Sequence, residues 1–596
     1  MVVGARSTVI APDVSCFRDT CNVYVLRSGR EAVLIDFGSG DVLDHLDELG
    51  VDRVTDVLVT HHHRDQVQGL DRAAAAGIRV WVPPVEVDFF AGADERWQKR
   101  QIGNDYDVRE DRFALLHSVP VAGTVDEYRR RRYGAFEVYA LPTPGHTLGS
   151  VTYLVESGGR RLAFCGDLVH GDGKVWSLAA TQWTYSGVEG WAATIISCSV
   201  LSAERPDLLL PSHGDAIEDP DGSLAAVAAR MQQLIDLRLE KGWDIGERIA
   251  RPYSTVLPHL LRNRTMFSNS YVLLSESGAA LLIDFGYDLT TTATSTERAA
   301  RRTLLWSIDG LKRDHGVTRI EAAVPTHFHD DHVAGLNLLR EIEGAEVWAP
   351  ANVAPIIEEP SRYDLPCLWF EPIPVDRVLP LGEPVQWQEY ELTVHALPGH
   401  THFAAAVEVE VDGKRVLATG DQQADTASRG VLNFQYRNRF SPDDFVKSAE
   451  LYRSIRPDLI VSGHWFPRAV DEAYLDGLLA DANRTAELHR ELLPEEGLGT
   501  DGFCARIEPY TSVGPNVELD VIVRNPFDRD EPARVRLDVP DGWQATPGEH
   551  ELQLAARSEQ TVRFTVTAPA SGRLAADVTI GETRFGQQAE AIVEVR

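Results

Sequence analysis

The stretch AVPTHFHDDHVAGL, residues 323–336, places four candidate metal ligands within six positions. Val324-Pro325-Thr326 ends a short apolar run that predicts a buried strand, and VAGLNLLREIEG at 333–344 predicts a helix. A strand-to-helix turn is a rigid place from which several side chains can reach one point. Imidazole and carboxylate groups together suit zinc, and suit iron or manganese with less preference. The four candidate ligands are His327, His329, Asp331 and His332.

Three further candidate ligands stand on separate turns later in the chain. His400 lies in the tetrapeptide Leu-Pro-Gly-His, Asp421 follows KRVLATG, and His464 follows PDLIVSG. Each comes just after an apolar, strand-like run, and the ends of strands are where α/β architectures collect their active sites. We therefore expect these side chains to meet those of 327–332.

The same series of motifs occurs earlier in the chain. NVYVLRSGREAVLIDFG, from Asn22, reappears as NSYVLLSESGAALLIDFG, from Asn269, and VLVTHHHRDQVQGL at 57–70 reappears as the stretch at 323–336. The distance from the PGHT histidine to the GD aspartate is 21 residues in both copies, from 146 to 167 and from 400 to 421. An internal repeat of this kind predicts two homologous domains, at 1–245 and 246–497. The equivalent residues of the first copy are His61, His63, Asp65, Gln66, His146, Asp167 and His213.

Two regions break the symmetry of the repeat. The second copy has extra residues at 290–310, TTTATSTERAARRTLLWSIDG, which we interpret as an added helix. In the last region, 498–596, apolar and polar residues alternate in short runs that turn-forming residues separate. This pattern predicts an all-β sandwich. It resembles the immunoglobulin- or fibronectin-like accessory modules of many bacterial enzymes.

The order of these motifs resembles that of the metallo-β-lactamase superfamily: HxHxDH, a PGHT histidine, a GD aspartate and a final histidine. Within the superfamily, the motifs are most similar to those of glyoxalase II and the lactonases. The resemblance covers about 1–495, twice. It implies an α/β fold class: two tandem αββα sandwiches, each with two sheets face to face and helices outside, before the all-β sandwich. In such a fold, Asp36 and Asp284 of the two IDFG motifs belong to a structural turn beneath the metal loop.

The resemblance also implies how the second copy binds metal. His327, His329 and His400 would bind one ion, Asp331, His332 and His464 a second, and Asp421 both. A hydroxide between two metals would be the nucleophile, with Asp331 as a ligand and possible proton acceptor. Tyr436 stands where some family members hold substrate with a tyrosine, although a buried aromatic is an equal alternative. Arg437 and Arg439 are candidates for an anionic substrate group, or form a solvated surface pair.

The first copy departs from the pattern at Gln66, which replaces the last histidine of the motif. An amide oxygen binds zinc more weakly than imidazole does, so the second metal position is the one affected. We expect between zero and two divalent ions in this copy, and a domain kept for packing is the alternative.

Composition limits the remaining possibilities. The formal charge of −32, from 58 basic and 90 acidic residues, argues against nucleic acid as a substrate and against a nuclease. The sequence shows neither a secretory signal nor an apolar span for a membrane, and its six cysteines are expected to be reduced, so we expect a cytoplasmic protein. Oligomeric state is left open.

These observations favour a dizinc or other divalent-metal hydrolase of a small-molecule ester, thioester, lactone or amide, active mainly in the second domain. One alternative is an iron-dependent oxidoreductase similar to the persulfide dioxygenases. Another is a scaffold or binding protein with a residual site. Substrate and metal identity are left open by the sequence.

Overall fold

The computed structural model describes residues 6–99, 113–183, 188–239, 244–288, 303–425, 429–492 and 503–595. Contacts between residues divide the chain into two compact units. The first comprises 1–252 with 288–310, and the second comprises 253–287 with 311–596.

The first unit contains a seven-stranded sheet in the order β1 to β7 and a five-stranded sheet in the order β12-β11-β10-β9-β8. The strands are β1 Ser7–Ala11, β2 Val14–Arg18, β3 Asn22–Ser28, β4 Glu31–Ile35, β5 Arg53–Leu58, β6 Arg79–Val82, β7 Gly123–Thr124, β8 Arg130–Tyr133, β9 Phe136–Pro142, β10 Val151–Ser157, β11 Arg160–Gly166 and β12 Leu208–Pro211. The helices are α1 Arg64–Val67, α2 Leu70–Ala75, α3 Ala93–Lys99, α4 Glu189–Ala203, α5 Pro220–Leu239 and α6 Ile245–Ala250.

Alternation of apolar side chains along the strands builds layers in this unit. In β3, Tyr24 and Leu26 join the core between the two sheets, whereas Val23 and Val25 face a second core that includes α2. On the other sheet, residues of β11 pack alternately into the central core and into a core with α4 and α5. Three cores separate four layers, so the arrangement is helix, sheet, sheet, helix, as predicted.

The second repeat has the same plan. Its first sheet runs in the order β13 to β19, and its second in the order β20-β21-β22-β23-β26-β27. The strands are β13 Tyr253–Leu257, β14 Leu260–Asn263, β15 Tyr271–Leu274, β16 Ala279–Ile283, β17 Arg319–Val324, β18 Glu346–Pro350, β19 Arg377–Leu379, β20 Pro384–Trp387, β21 Tyr390–Ala396, β22 Ala405–Val411, β23 Lys414–Ala418, β24 Gln423–Asp425, β25 Gly430–Leu432, β26 Leu459–Val461 and β27 Arg468–Ala469. The helices are α7 Trp306–His315, α8 Asp330–Val333, α9 Leu336–Glu343, α10 Ala354–Glu358, α11 Asp444–Ile455 and α12 Glu472–Leu492.

The two copies also agree in strand direction. In the first, β4, β5, β6 and β7 are parallel neighbours and β11 is parallel to β12; in the second, β16 to β19 and the pair β23–β26 repeat this. Parallel neighbours present their carboxyl ends at one edge of the sheet. The prediction of two similar sandwich domains is confirmed.

The C-terminal region is all β among its described residues. It has a four-stranded sheet in the order β28-β30-β34-β32 and a five-stranded sheet in the order β29-β36-β35-β31-β33, around one apolar core. The strands are β28 Ala505–Glu508, β29 Thr511–Val513, β30 Asn516–Arg524, β31 Glu531–Asp538, β32 Gln544–Thr546, β33 His550–Leu554, β34 Glu559–Thr567, β35 Gly572–Ile580 and β36 Thr583–Glu594. The all-β prediction is consistent with these sheets, and its immunoglobulin-like topology stays a prediction.

The extra segment at 290–310 is described only in part. Helix α7 begins at Trp306 and so contains the end of the segment, whereas 289–302 lie outside the described residues. Within the described parts of the chain, no helix combines the length and apolarity needed to cross a membrane.

Candidate metal centres

The carboxyl ends of neighbouring strands position the predicted ligands of the second repeat. His327 and His329 follow β17, and the one-turn helix α8 carries Asp331 and His332. Asp421 follows β23 and His464 follows β26, and these two strands are parallel neighbours. Local strand geometry therefore brings side chains that are far apart in sequence to one edge of the fold.

Three histidines form the first cluster of this repeat. The ligating atoms of His327, His329 and His400 lie within 4.8 Å of one another, and all three residues are buried. His400 Nε2 is 3.3 Å from His329 Nδ1. On its other side, the His400 ring contacts the Asn433 carbonyl oxygen through Nδ1, at 2.8 Å, which fixes its orientation.

A second cluster lies beside the first and shares Asp421 with it. His464 Nε2 is 3.1 Å from Asp331 Oδ2 and 3.1 Å from Asp421 Oδ2. His332 Nε2 is 3.3 Å from Asp421 Oδ1. Asp421 Oδ2 is also 3.8 Å from His400 Nε2, so this carboxylate faces both clusters.

Unsatisfied buried atoms test whether these residues suit a metal. His327 Nε2, His332 Nε2 and Asp421 Oδ1 are buried and make no hydrogen bond, although the last two lie at ion-pair distance. Burial, followed by the neighbouring imidazoles, holds the pKa of His327 well below its usual value, and burial lowers that of His329 to about 3. Neutral imidazoles with free lone pairs beside a carboxylate are a donor set that fits a divalent cation.

The second cluster has an excess of negative charge that attracts cations. Burial lowers the pKa of His464, but Asp421 and Asp331 outweigh it and raise that pKa to about 10. Burial likewise lowers the pKa of His332, and carboxylates led by Asp331 outweigh it, which leaves that pKa well above its usual value. The cluster therefore favours positive charge, which a divalent ion supplies.

Asp284 supports this centre from beneath. Its carboxylate accepts hydrogen bonds from the Thr326 backbone N–H, at 2.6 Å, and from Thr326 Oγ1, at 2.9 Å. It also lies 2.8 Å from His332 Nδ1, so it orients the ring whose Nε2 faces the cluster. The predicted structural turn is consistent with these contacts, and Asp284 holds a candidate ligand as well.

Replacing Asp284 with asparagine should weaken metal binding at the second cluster of this repeat by about 10- to 100-fold. The amide cannot keep all three contacts, so the His332 ring loses its fixed orientation. Competition with a chelator measures the affinity. Asp36→Asn is the matched control in the first repeat and should leave metal binding by the second repeat unchanged. If both variants lost the same metal affinity in the second repeat, Asp284 would not be the residue that orients His332.

The first repeat assembles one histidine cluster of the same kind. The ligating atoms of His61, His63 and His146 lie within 4.8 Å of one another, with 2.9 Å between His146 Nε2 and His63 Nδ1. Asp167 Oδ2 is 3.5 Å from His146 Nε2 and 3.7 Å from His61 Nε2. His61 Nε2 is buried without a hydrogen bond, and burial first lowers the pKa of each of the three imidazoles. These residues fit one cation.

The remaining predicted ligands of the first repeat are arranged differently. Gln66 Nε2 donates a hydrogen bond to Asp167 Oδ2, at 3.0 Å. His213 turns its Nδ1 to Asp167 Oδ1, at 2.9 Å, and its Nε2 lies 3.3 Å from Asp65 Oδ2. The indole of Trp176 stacks on the His213 ring, with 4.1 Å between the centroids. The contacts of His213 have counterparts in the second repeat, where His464 lies 3.1 Å from Asp331 and from Asp421. The amide hydrogen bond of Gln66 differs, because the second repeat has an imidazole at that position.

Tyr436 is half exposed and lies in a single turn of 3-10 helix, 436–438. Its hydroxyl lies 3.2 Å from His489 Nε2 of α12, and its ring stacks on Phe440. Its hydrogen bond is thus to a helix rather than to a cluster residue. A substrate-binding role for Tyr436 stays a prediction.

A cavity lies beside the second metal centre and is not lined by any of its predicted ligands. It has a volume of about 870 Å³ and lies between the second repeat and the C-terminal sheets. Its walls come from segments 363–366, 402–403, 436–441, 503–508 and 587–590. A smaller pocket of about 380 Å³ shares Tyr363, His402 and Phe403 with it.

Sequence patterns did not reveal two supporting residues, Asn433 and Ser212. The backbone oxygen of Asn433 holds His400, and a carbonyl leaves no signal in the side-chain pattern. Ser212 donates to Asp36 Oδ2, and aligning the two final-histidine motifs could have revealed it, because PSHG has serine where SGHW has Gly463.

Comparisons with known proteins show a family match in both repeats. The family model described as the metallo-beta-lactamase superfamily matches residues 17–213 and 263–464. A hydroxyacylglutathione hydrolase of Fuscovulum blasticum is 28% identical over 40% of this chain and 83% of its own. An atrochrysone carboxyl ACP thioesterase of Aspergillus chevalieri is 23% identical over 37% of this chain and 57% of its own. A solved metallo-β-lactamase of Cronobacter sakazakii aligns with a TM-score of 0.31 at 18% identity, covering 40% of this chain and 98% of its own.

Proposed function

Because the chain belongs to the metallo-β-lactamase superfamily, we propose that its second repeat is a two-metal hydrolase of a small-molecule ester, thioester, lactone or amide. The observation that carries the proposal is Asp421, whose carboxylate faces a three-histidine cluster on one side and the Asp331, His332 and His464 cluster on the other. One relative is named as a hydrolase and another as a thioesterase, which supports hydrolysis.

The proposed ligands are His327, His329 and His400 for one ion and Asp331, His332 and His464 for the other, with Asp421 for both. Zinc suits this donor set best. Bound metals would polarise the scissile carbonyl and lower the pKa of a water molecule. The protein contributes the orientation of the donors: Asn433 and Asn438 hold the His400 ring and backbone, and Asp284 holds His332.

Asp331 is the proposed proton acceptor. Its carboxylate lies on the more accessible side of the second cluster, with its side chain 12% exposed, whereas that of His332 is wholly buried. A carboxylate beside the reacting group can take a proton in the hydrolytic step. The backbone oxygen of the same residue accepts a hydrogen bond from Ser268, which fixes the start of α8.

Asp331→Asn should lower kcat by about 100-fold or more, because general acid–base groups contribute factors of that size. The amide keeps the shape of the side chain but cannot accept the proton. Steady-state kinetics on a panel of aryl esters, thioesters and lactones measures the effect. The matched control, Asp65→Asn in the first repeat, should change kcat less than twofold; an unchanged kcat in Asp331→Asn would contradict the role.

The same panel tests the function itself. Removal of metal with a chelator should abolish hydrolysis, and added Zn²⁺ or Mn²⁺ should restore it. Iron in the purified protein together with sulfur-dependent oxygen uptake, and no hydrolysis, would instead support the oxidoreductase alternative. Full metal content with neither activity would support the scaffold alternative.

A further inference from the structure

At the second metal position the two repeats differ in two residues that change together, and Gln66 is only one of them. At the position of Gln66 the second repeat has His332, and at the position of Ser212 it has Gly463. A Cβ atom added to Gly463 would lie well inside van der Waals contact of Asp421 Oδ1 and 2.7 Å from His332 Cε1. The histidine ring and a side chain at position 463 therefore exclude each other.

In the first repeat, Ser212 makes one of the contacts that the His332 imidazole makes in the second repeat. Ser212 Oγ donates a 2.6 Å hydrogen bond to Asp36 Oδ2. In the second repeat, the equivalent carboxylate, Asp284 Oδ2, contacts His332 Nδ1 at 2.8 Å. A buried carboxylate that lost its partner would carry a cost in stability, so the serine completes the substitution of glutamine for histidine.

The glutamine replaces the other contact of the imidazole. Its amide Nε2 donates to Asp167 Oδ2, the carboxylate that a second metal would have to share. His213 supplies a further hydrogen bond to the same carboxylate, at 2.9 Å to Oδ1. Both oxygens of Asp167 are therefore hydrogen-bonded to protein groups, whereas Asp421 Oδ1 makes no hydrogen bond and lies 3.3 Å from His332 Nε2.

We propose that the first repeat is a one-metal centre, in which His61, His63, His146 and Asp167 hold a single divalent ion and the Gln66–Ser212 pair closes the second position. The inference rests on the proposed function of the second repeat and makes the two centres of the chain unequal. The 596-residue chain then holds three metals, two in the second repeat and one in the first.

Metal analysis of the 596-residue chain, reconstituted with Zn²⁺ and freed of excess metal, tests this count without any assay of activity. Wild type should hold about three ions per chain, and Gln66→His with Ser212→Gly should hold about four. Gln66→His alone should stay at three, because Ser212 occupies the space of the new ring. Four ions in wild type, or three in a folded double variant, would overturn the proposal.

The reverse exchange keeps the proposal testable if the first double variant fails to fold. His332→Gln with Gly463→Ser should reduce the count from three to two, and a count of three would overturn the proposal. If the protein hydrolysed no substrate but held the predicted numbers of metal ions, the proposed function would be refuted. The assignment of one metal to the first repeat would be unaffected.

A second inference comes from the charges around the cavity of about 870 Å³. Among the arginines of its walls, Arg439 donates to the Asp364 backbone oxygen, Arg506 pairs with Glu559, and Arg524 donates to the Phe503 backbone oxygen. Arg437 lines the same cavity and has no hydrogen bond or ion pair among the described residues. The acidic residues of the walls have other partners: Asp364 lies 3.9 Å from Arg439, and Glu508 and Glu559 pair with Arg506. Glu590 accepts a hydrogen bond from the Tyr510 hydroxyl. Arg437 is therefore a cation of these walls without a partner among the described residues.

The smaller pocket supplies an apolar region next to this cation. Its volume is about 380 Å³, and Pro355, Ile356, Ala396 and Pro398 line it beside the shared Phe403. Ligand sites combine such apolar walls with a few fixed polar groups. An apolar group and an anionic group on one molecule would match the two cavities.

The cavity walls are continuous with the metal centre. Asn438, from the segment that carries Arg437, donates to the His400 backbone oxygen at 2.8 Å. Cys367, beside the wall segment 363–366, accepts a backbone hydrogen bond from Asp330 at 2.9 Å, and Leu368 pairs with His329. A ligand seated here would contact segments that hold the candidate ligands.

We propose that these cavities bind the part of the substrate remote from the scissile bond, and that the substrate is an amphipathic anion whose charge lies at Arg437. This inference also rests on the proposed function. A suitable probe is 8-anilinonaphthalene-1-sulfonate, an aromatic anion whose fluorescence reports binding, with uncharged N-phenyl-1-naphthylamine as its neutral counterpart.

Arg437→Gln in the metal-loaded protein should raise the Kd of the anionic probe by about tenfold and that of the neutral probe less than twofold, since loss of one charged contact accounts for a change of this size. The control Arg484→Gln, on the exposed face of α12, should change neither Kd.

The anionic probe should also inhibit hydrolysis competitively. An unchanged Kd in Arg437→Gln, or inhibition that does not raise KM, would overturn the proposal, whereas binding in the absence of any hydrolysis would refute the proposed function alone.

Discussion

Replacing Asp421 with alanine should lower kcat/KM by about 1000-fold or more for any ester or thioester that the protein hydrolyses, because metal ions contribute several kcal/mol of transition-state stabilisation. One carboxylate faces both clusters, with Oδ2 3.8 Å from His400 Nε2 and 3.1 Å from His464 Nε2. Removing it therefore affects two ions, whereas removing a histidine affects one. Steady-state kinetics and metal analysis on the same preparation measure the loss.

Asp167→Ala is the matched control, because it removes the equivalent carboxylate of the first repeat. It should lower the metal content of that repeat and leave kcat/KM within about threefold of wild type. If Asp421→Ala kept a tenth of the activity, or if Asp167→Ala lost as much activity as Asp421→Ala, hydrolysis could not be assigned to the second repeat.

Gly286→Ala should lower the free energy of unfolding of the second unit by about 3 kcal/mol and release a metal from it. A Cβ atom at position 286 would lie well inside van der Waals contact of the Asp331 backbone oxygen and 3.0 Å from the Asp331 Cα. The added methyl group must therefore displace the backbone that presents Asp331 and His332. Urea unfolding and metal analysis measure the two effects.

Gly477→Ala is the control for this substitution. Gly477 lies in α12 with nothing within 4 Å of an added Cβ, so alanine should leave stability unchanged or raise it slightly. If Gly286→Ala were as stable and as metal-rich as wild type, the close approach of the IDFG turn to the ligand helix would not matter for the site.

The candidate ligands were accessible to sequence reasoning because each stands beside a short apolar run. Such runs predict strands, and strands that are parallel neighbours end at one edge, as β23 and β26 do before Asp421 and His464. The spacing of 21 residues between the PGHT histidine and the GD aspartate repeated because the intervening strands, β22 and β23 or β10 and β11, are equivalent. Local pattern and repeat together predicted two equivalent domains, and the resemblance to the metallo-β-lactamase superfamily supplied the sandwich fold of both.

Contacts between distant segments were not accessible in this way. The sequence shows that Gln66 replaces a histidine, but only the structure shows that Ser212 takes the place of the same ring at Asp36. Likewise, the pairing of Tyr436 with His489 of α12 depends on how a helix packs, which no periodicity within 436–441 records. The cavity beside the C-terminal sheets arises from segments more than 130 residues apart along the chain, such as 363–366 and 503–508.

The most direct test of the two-metal assignment is the metal content per chain of protein purified without added metal, measured beside a His332→Ala, His400→Ala double variant. The assignment predicts that the double variant loses about two ions, one from each cluster of the second repeat, and keeps the ion of the first repeat. Retention of the full complement by a folded double variant, or a wild-type protein without metal that binds none on addition of Zn²⁺, would contradict it.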